Sequence, residues 1–210
     1  MFKSRHFIFV LIAVLFPLLT ACTGSASPTP TPTDMPEGVT IVDPPGDPAV
    51  FALTDKTGDE LTLADVEGKY TLFFFGYTNC PDFCPNTLAN FLIVKQLLAD
   101  KADDVNFMLI SVDGKRDTPE RLTEYTESFD PTFLAATGSD DVLPETVSQF
   151  GAQYFIEDDT EENYLVEHTT SSFLLDPEGR WIRLYSFGTD PQVMATDIGQ
   201  LVDSTATSDA

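Results

Sequence analysis

The sequence predicts one α/β domain built on a mixed β-sheet with helices on both faces. Three observations predict it. Two continuous apolar runs, Tyr70–Gly76 and Val105–Val112, read as strands buried on both sides. Each run is followed by a segment with helical signals. A hairpin pattern and a last helical segment then close the chain, and this order implies a mixed sheet. The length of 210 residues suits one domain with appendages. The 42% hydrophobic content, including 17 Phe, is enough to fill a core.

In chain order, Phe51–Thr54 and Leu61–Leu63 flank Asp55–Asp59 as a first hairpin. Tyr70–Gly76 is the first buried strand, and its Phe73-Phe74-Phe75 run reads as core. Leu88, Phe91, Leu92, Val94, Leu97 and Leu98 then recur at helical spacing. Val105–Val112 is the second buried strand. Asp117-Thr118-Pro119-Glu120 starts a helix that reaches Phe129, with Asp or Thr as cap and Pro in the first turn. Asp140–Phe150 is a further helix. Ser171–Asp176 and Trp181–Phe187 make a second hairpin around Pro177–Arg180, and Asp190–Leu201 closes as a helix. This is the thioredoxin-like order.

The two ends read differently. Lys3 and Arg5 precede an uncharged stretch, Phe7–Leu19. As a helix it rises about 20 Å, short of a hydrocarbon core about 30 Å thick. A signal peptide fits better than a permanent span, although retention as an anchor is an alternative. The stretch ends Leu19-Thr20-Ala21-Cys22, which resembles the lipobox of bacterial lipoproteins, where cleavage leaves a lipid-modified Cys at the mature N-terminus. A plain signal with an incidental Cys is the alternative. Thr23–Pro36 is rich in Ser, Thr and Pro and reads as an extended tether. The expected organisation is therefore a signal peptide over 1–21, lipidated Cys22 and tether over 22–39, a folded domain over 40–203 and a disordered tail over 204–210. The domain faces the extracytoplasmic side of a bacterial cell membrane.

The formal charge is −23, from 11 basic and 34 acidic residues. That excludes nucleic acid as an expected partner, because phosphate binding needs clustered cations. It also argues against adsorption to anionic lipid by charge alone. With 3 Cys and 2 His there is no disulfide scaffold and no site needing several histidines.

The chemistry-bearing residues are few. Cys80-Pro81-Asp82-Phe83-Cys84-Pro85 lies where the first buried strand gives way to its helix, the end of a strand where ligands bind in open α/β sheets. Two prolines in six residues oppose a regular helix through both cysteines. Cys80 is then expected in a turn and Cys84 at the helix mouth, where the helix N-terminus favours thiolate. A structural disulfide is the alternative, but so short a loop makes a weak staple, about 2 kcal/mol. His168 stands in Val166-Glu167-His168-Thr169-Thr170. A lone histidine is commonly a solvent-facing side chain. Here it is the one histidine left after signal removal, and in a thioredoxin-like order its loop lies over the cysteine turn. Two thiolates and an imidazole suit copper, Cu(I) in particular. Zinc accepts the same set with an open position.

These residues resemble the Sco/SenC family of copper-binding thioredoxin-like proteins. The resemblance covers most of 45–203. It is carried by Gly76-Tyr77-Thr78-Asn79 leading into the Cys80–Pro85 block, by Ser111-Val112-Asp113-Gly114-Lys115-Arg116-Asp117-Thr118-Pro119, by Glu167-His168-Thr169, and by Leu174-Leu175-Asp176-Pro177-Glu178-Gly179. It implies Cys80, Cys84 and His168 as copper ligands. It also implies a role in maturing the copper site of cytochrome oxidase subunit II, by delivering copper, by reducing that site's cysteines, or both. Three features depart from the family pattern. Gly114 replaces the usual Pro, which would loosen that turn. Glu167 replaces Asp before the histidine, and attachment is by lipid rather than a transmembrane helix.

Asp113 and Asp117 follow the second strand. Either orients His168 or tunes the metal from behind its ligands, or they serve turn and cap chemistry; the cap pattern favours the latter for Asp117. Glu157–Glu162 holds five carboxylates in six residues and reads as a solvated loop. Three functions compete. One is a copper metallochaperone. The second is a thiol–disulfide oxidoreductase acting through Cys80 and Cys84 on subunit II or another client. The third is a peroxide-reducing enzyme, which would need neither the second Cys nor the His. His168 separates the first two, since copper needs it and plain exchange does not.

Overall fold

The structure, a computed structural model, describes residues 36–156 and 164–208. The signal segment, Cys22, most of the tether and the Glu157–Glu162 run lie outside the described residues.

Among the described residues an eight-stranded mixed sheet forms the centre. Its strands are β1 (Val39–Ile41), β2 (Ala52–Asp55), β3 (Glu60–Thr62), β4 (Tyr70–Gly76), β5 (Val105–Ser111), β6 (Leu134–Thr137), β9 (Ser172–Leu175) and β10 (Trp181–Tyr185). They lie in the order β1-β10-β9-β4-β5-β6-β2-β3. A separate two-stranded ladder pairs β7 (Tyr154–Ile156) with β8 (Val166–His168). The helices are α1 (Phe83–Leu98), α2 (Pro119–Glu127), α3 (Leu143–Ser148) and α4 (Pro191–Ser208). None of them is long and apolar enough to cross a membrane.

The apolar runs form central strands because both of their faces are covered. β4 is buried along its whole length. It pairs in parallel with β5, Leu72 opposite Phe107, and antiparallel with β9, Phe73 opposite Phe173. Alternate side chains serve opposite faces. Phe74 meets Phe91 of α1 edge-on at 5.6 Å on one face. Phe73 packs against Phe150 and Phe173 on the other. Burying each such ring contributes about 1.5–3 kcal/mol, so the Phe73–Phe75 run is core as expected.

Several elements differ from expectation. β1 begins at Val39, inside the segment read as tether, where it pairs with β10 on a sheet edge. β6, the short run Leu-Ala-Ala-Thr, completes the parallel part of the sheet beside β5. α3 covers only Leu143–Ser148 of the longer helix expected there. α4 continues to Ser208 through most of the residues expected to be a disordered tail. Contacts with the rest of the domain hold this extension in place. Val202 is buried, the Tyr70 hydroxyl binds the Leu201 carbonyl at 3.1 Å and the Thr205 hydroxyl at 2.7 Å, and Lys101 pairs with Asp203 at 2.7 Å.

Candidate metal centre

β4 ends at Gly76, and the chain turns through Tyr77–Asp82 before α1 begins at Phe83. Cys80 stands in that turn, and Cys84 is the second residue of α1 with Pro85 behind it. The N-cap residue Asp82 makes no side-chain cap bond. Instead the Cys80 sulfur takes the Cys84 backbone N–H at 3.5 Å. A sulfur that receives a helix N-terminal donor is stabilised as thiolate. The cysteines are not bridged. The neighbouring Cys84 thiol is the largest of the influences that hold the Cys80 thiol well below its ordinary range. The proximity of Cys80, together with burial, pushes Cys84 up. The outer thiol, which receives the helix N–H, is thus the more readily ionised of the pair, and the buried inner thiol the less readily.

Cys84 is entirely buried and Cys80 is 7% exposed. Gly76 makes room for the inner sulfur: a Cβ there would stand 2.7 Å from Cys84 Sγ and 2.7 Å from Phe74 Cε2.

His168 closes the group from the opposite side as the last residue of β8, rather than from a loop. Its Nδ1 lies 3.0 Å from the Thr169 carbonyl. A carbonyl can only accept, so Nδ1 carries the proton and Nε2 presents its lone pair inward. Nε2 lies 3.6 Å from Cys84 Sγ, and the three ligand atoms of Cys80, Cys84 and His168 all lie within 4.8 Å of one another. Metal–donor bonds of about 2.0–2.3 Å place donors on one ion about 4 Å apart, so closure by under about 1 Å suffices. A groove of about 300 Å³ opens over the group, walled by Pro81 and Phe83 on one side and by Leu165 and Val166 on the other.

The two carboxylates act at one remove. Neither bonds the His168 ring, whose orienting partner is the Thr169 carbonyl. Asp117 does not cap α2, contrary to the cap pattern; Thr118 does, accepting the Arg121 N–H at 3.4 Å. The Asp117 carboxylate is fully buried and takes three bonds, from the Thr78 N–H at 2.8 Å, the Thr78 hydroxyl at 2.6 Å and the Ser111 hydroxyl at 2.5 Å. It thereby clamps the cysteine turn to the end of β5. Burial raises its pKa against the opposing effect of those bonds. Asp113, also buried, accepts from Arg116 Nε at 2.6 Å and from the Tyr164 hydroxyl at 2.6 Å.

Sequence reasoning missed Tyr77, Thr78, Arg116 and Tyr164 as parts of this arrangement. The available signal was Arg116, a rare cation in an acidic chain, set between two carboxylates at the end of a buried strand. Gly114 is not a loose turn either. A Cβ there would stand 2.3 Å from the Gly138 carbonyl oxygen, so the missing side chain lets two loops touch backbone to backbone.

Known proteins share this frame. The SCO1/SenC family pattern matches residues 46–203. Protein SenC of Rhodobacter capsulatus is 34% identical over 157 residues, spanning 75% of this chain and 71% of SenC. The structure of Bradyrhizobium japonicum ScoI with copper bound matches with a TM-score of 0.66 at 34% identity, covering 74% of this chain and 98% of that one. A SCO1/SenC family lipoprotein from Bacillus anthracis matches with a TM-score of 0.65 at 27% identity, covering 79% and 99%. With most of its folded part matched in both sequence and structure, the chain belongs to the SCO1/SenC family.

Proposed function

We propose that this protein is a copper metallochaperone of the bacterial cell envelope and that it carries one copper ion on Cys80 Sγ, Cys84 Sγ and His168 Nε2. The observation that carries the reading is the convergence of these three atoms within 4.8 Å, although His168 is 84 residues from Cys84. The donor set fits the cargo. Two thiolates and an imidazole are soft ligands, and three of them leave room for a fourth from a partner. Loading releases thiol protons, because the metal takes its sulfurs as thiolates. Unloading follows when a client ligand enters the groove beside Phe83 and Leu165 and replaces one protein donor. The client in this reading is cytochrome oxidase subunit II, or another envelope protein with a copper or thiol site. Lipidated Cys22, with the segment after it as tether, holds the domain on the extracytoplasmic membrane face.

A second reading is favoured by the uneven dithiol. Cys80 lines the groove and is the more readily ionised thiol, while Cys84 is buried and the harder to ionise. Cys80 would attack a client disulfide, forming a mixed disulfide and releasing one client thiolate. Cys84 would then lose its proton and attack Cys80 Sγ, closing a Cys80–Cys84 bridge and releasing the second client thiolate. The client is reduced and this protein oxidised by two electrons.

One experiment separates the readings. The reduced protein is titrated against a chromogenic Cu(I) chelator, and its rate of exchange with a small disulfide is measured alongside. The wild type is expected to take one Cu(I). His168→Ala is expected to weaken binding more than tenfold and to change the exchange rate less than twofold. Equal copper affinity in the two proteins would sink the three-ligand assignment.

A further inference from the structure

His168 belongs to a ladder that is not part of the main sheet. β8 pairs with β7 over three residues, Tyr154 opposite His168. An isolated two-stranded ladder is marginal in water, so its position against the cysteine turn needs another support. The loop after β5 supplies one. Arg116 Nε is paired with buried Asp113 at 2.6 Å, and its Nη1 donates to the Tyr164 carbonyl at 2.9 Å. The guanidinium carbon lies 3.4 Å from the centre of the Tyr164 ring, and the Tyr164 hydroxyl returns to Asp113 at 2.6 Å. Tyr164 is four residues before His168. Towards the cysteine side, the same guanidinium carbon lies 5.8 Å from the centre of the Tyr77 ring. The Tyr77 carbonyl accepts the Cys80 N–H at 3.3 Å, and its ring meets the His168 ring edge-on at 5.9 Å.

We infer that Arg116 is a positioning residue that sets His168 against Cys80 and Cys84, acting through Tyr164 and Tyr77. One planar cation serves all of these contacts together: a fork to Asp113 and to a carbonyl, and faces for two rings. Lysine keeps the charge but cannot reproduce the fork and the stacking at once. The inference rests on the copper reading for its functional meaning, while its geometric content stands without metal.

The test is a cycle of Arg116→Met and His168→Ala, singly and together, in the full-length reduced protein. If Arg116 acts by placing the imidazole, Arg116→Met lowers Cu(I) affinity about tenfold or more. The same substitution then adds less than twofold in the His168→Ala background. Arg116→Lys falls between wild type and Arg116→Met. In the metal-free protein, the NMR cross-peak between the Tyr77 and His168 rings is present in wild type and lost in Arg116→Met. Arg116→Lys carries the same cycle and the same cross-peak if Arg116→Met fails to fold. An unchanged cross-peak, or an equal loss of affinity with and without His168, overturns the inference. A lost cross-peak in a protein whose wild type binds no copper overturns the copper reading and leaves the positioning role intact.

Discussion

Cys80 and Cys84 follow β4, a strand held by β5 on one side and β9 on the other in the middle of an eight-stranded sheet, whereas His168 sits on β8, whose sheet partner is the three-residue β7. The thiol side inherits its geometry from the core. Phe74 and Gly76 shape the seat of Cys84, and buried Asp117 holds the turn to the neighbouring strand. The imidazole side is fastened by a few polar and aromatic contacts from the loop after β5. A site assembled this way has one half fixed by folding itself and one half adjustable by single contacts. The two halves therefore respond differently to substitution.

Removing the clamp on the thiol side is the largest test of that contrast. Asp117→Ala leaves the Thr78 N–H and two hydroxyls buried without their acceptor, and is expected to cost about 3 kcal/mol of unfolding free energy. Urea denaturation measures it. The effect also has a pH signature. Because the folded state raises the Asp117 pKa, wild type binds that proton more tightly than the unfolded chain does. Its advantage over Asp117→Ala is therefore largest below the ordinary carboxylate range and shrinks as pH rises through the elevated value. A deficit that grows with pH would reverse this assignment.

A smaller intrusion reaches the cysteine pair from the core. Gly76→Ala brings a methyl against Cys84 Sγ and the Phe74 ring. It is expected to cost about 2 kcal/mol by overpacking and to weaken Cu(I) binding several-fold, as chelator competition would show. Stability and affinity should fall together there, since on this side folding and ligand placement are one event.

On the imidazole side they should separate. Tyr164→Phe removes the hydroxyl bond to Asp113 but keeps the ring under Arg116. It is expected to cost about 1.5 kcal/mol in stability while Cu(I) affinity stays within twofold of wild type. A fall in affinity as large as that of Gly76→Ala would erase the distinction between the halves.

The same contrast sorts what could be read from the sequence. β4 and β5 were legible to within a residue because burial on both faces leaves an uninterrupted apolar run. The dithiol and His168 were legible because their chemistry is rare in this chain. β6 was not, since its small residues carry no strong pattern, and β7 and β8 were hidden by their shortness. Asp117 shows how a local signal misleads. Its place before Thr-Pro-Glu reads as a helix cap, yet Thr118 fills that role and the carboxylate is used by Thr78, 39 residues earlier. The charge of Arg116 stands out in the sequence, but its role does not, for a related reason. Its partners in Tyr164 are a backbone carbonyl and an aromatic face 48 residues away, and neither leaves a motif.

The contact of Gly114 with Gly138 ties together two positions far apart in the chain. A proline at position 114 would meet the Gly138 carbonyl head-on, because a Cβ built on this backbone stands 2.3 Å from that oxygen. The loop after β6 would have to withdraw first. Any side chain at position 114 therefore demands a shift of the backbone at Gly138, so the residue tolerated at one site depends on the room the other loop leaves.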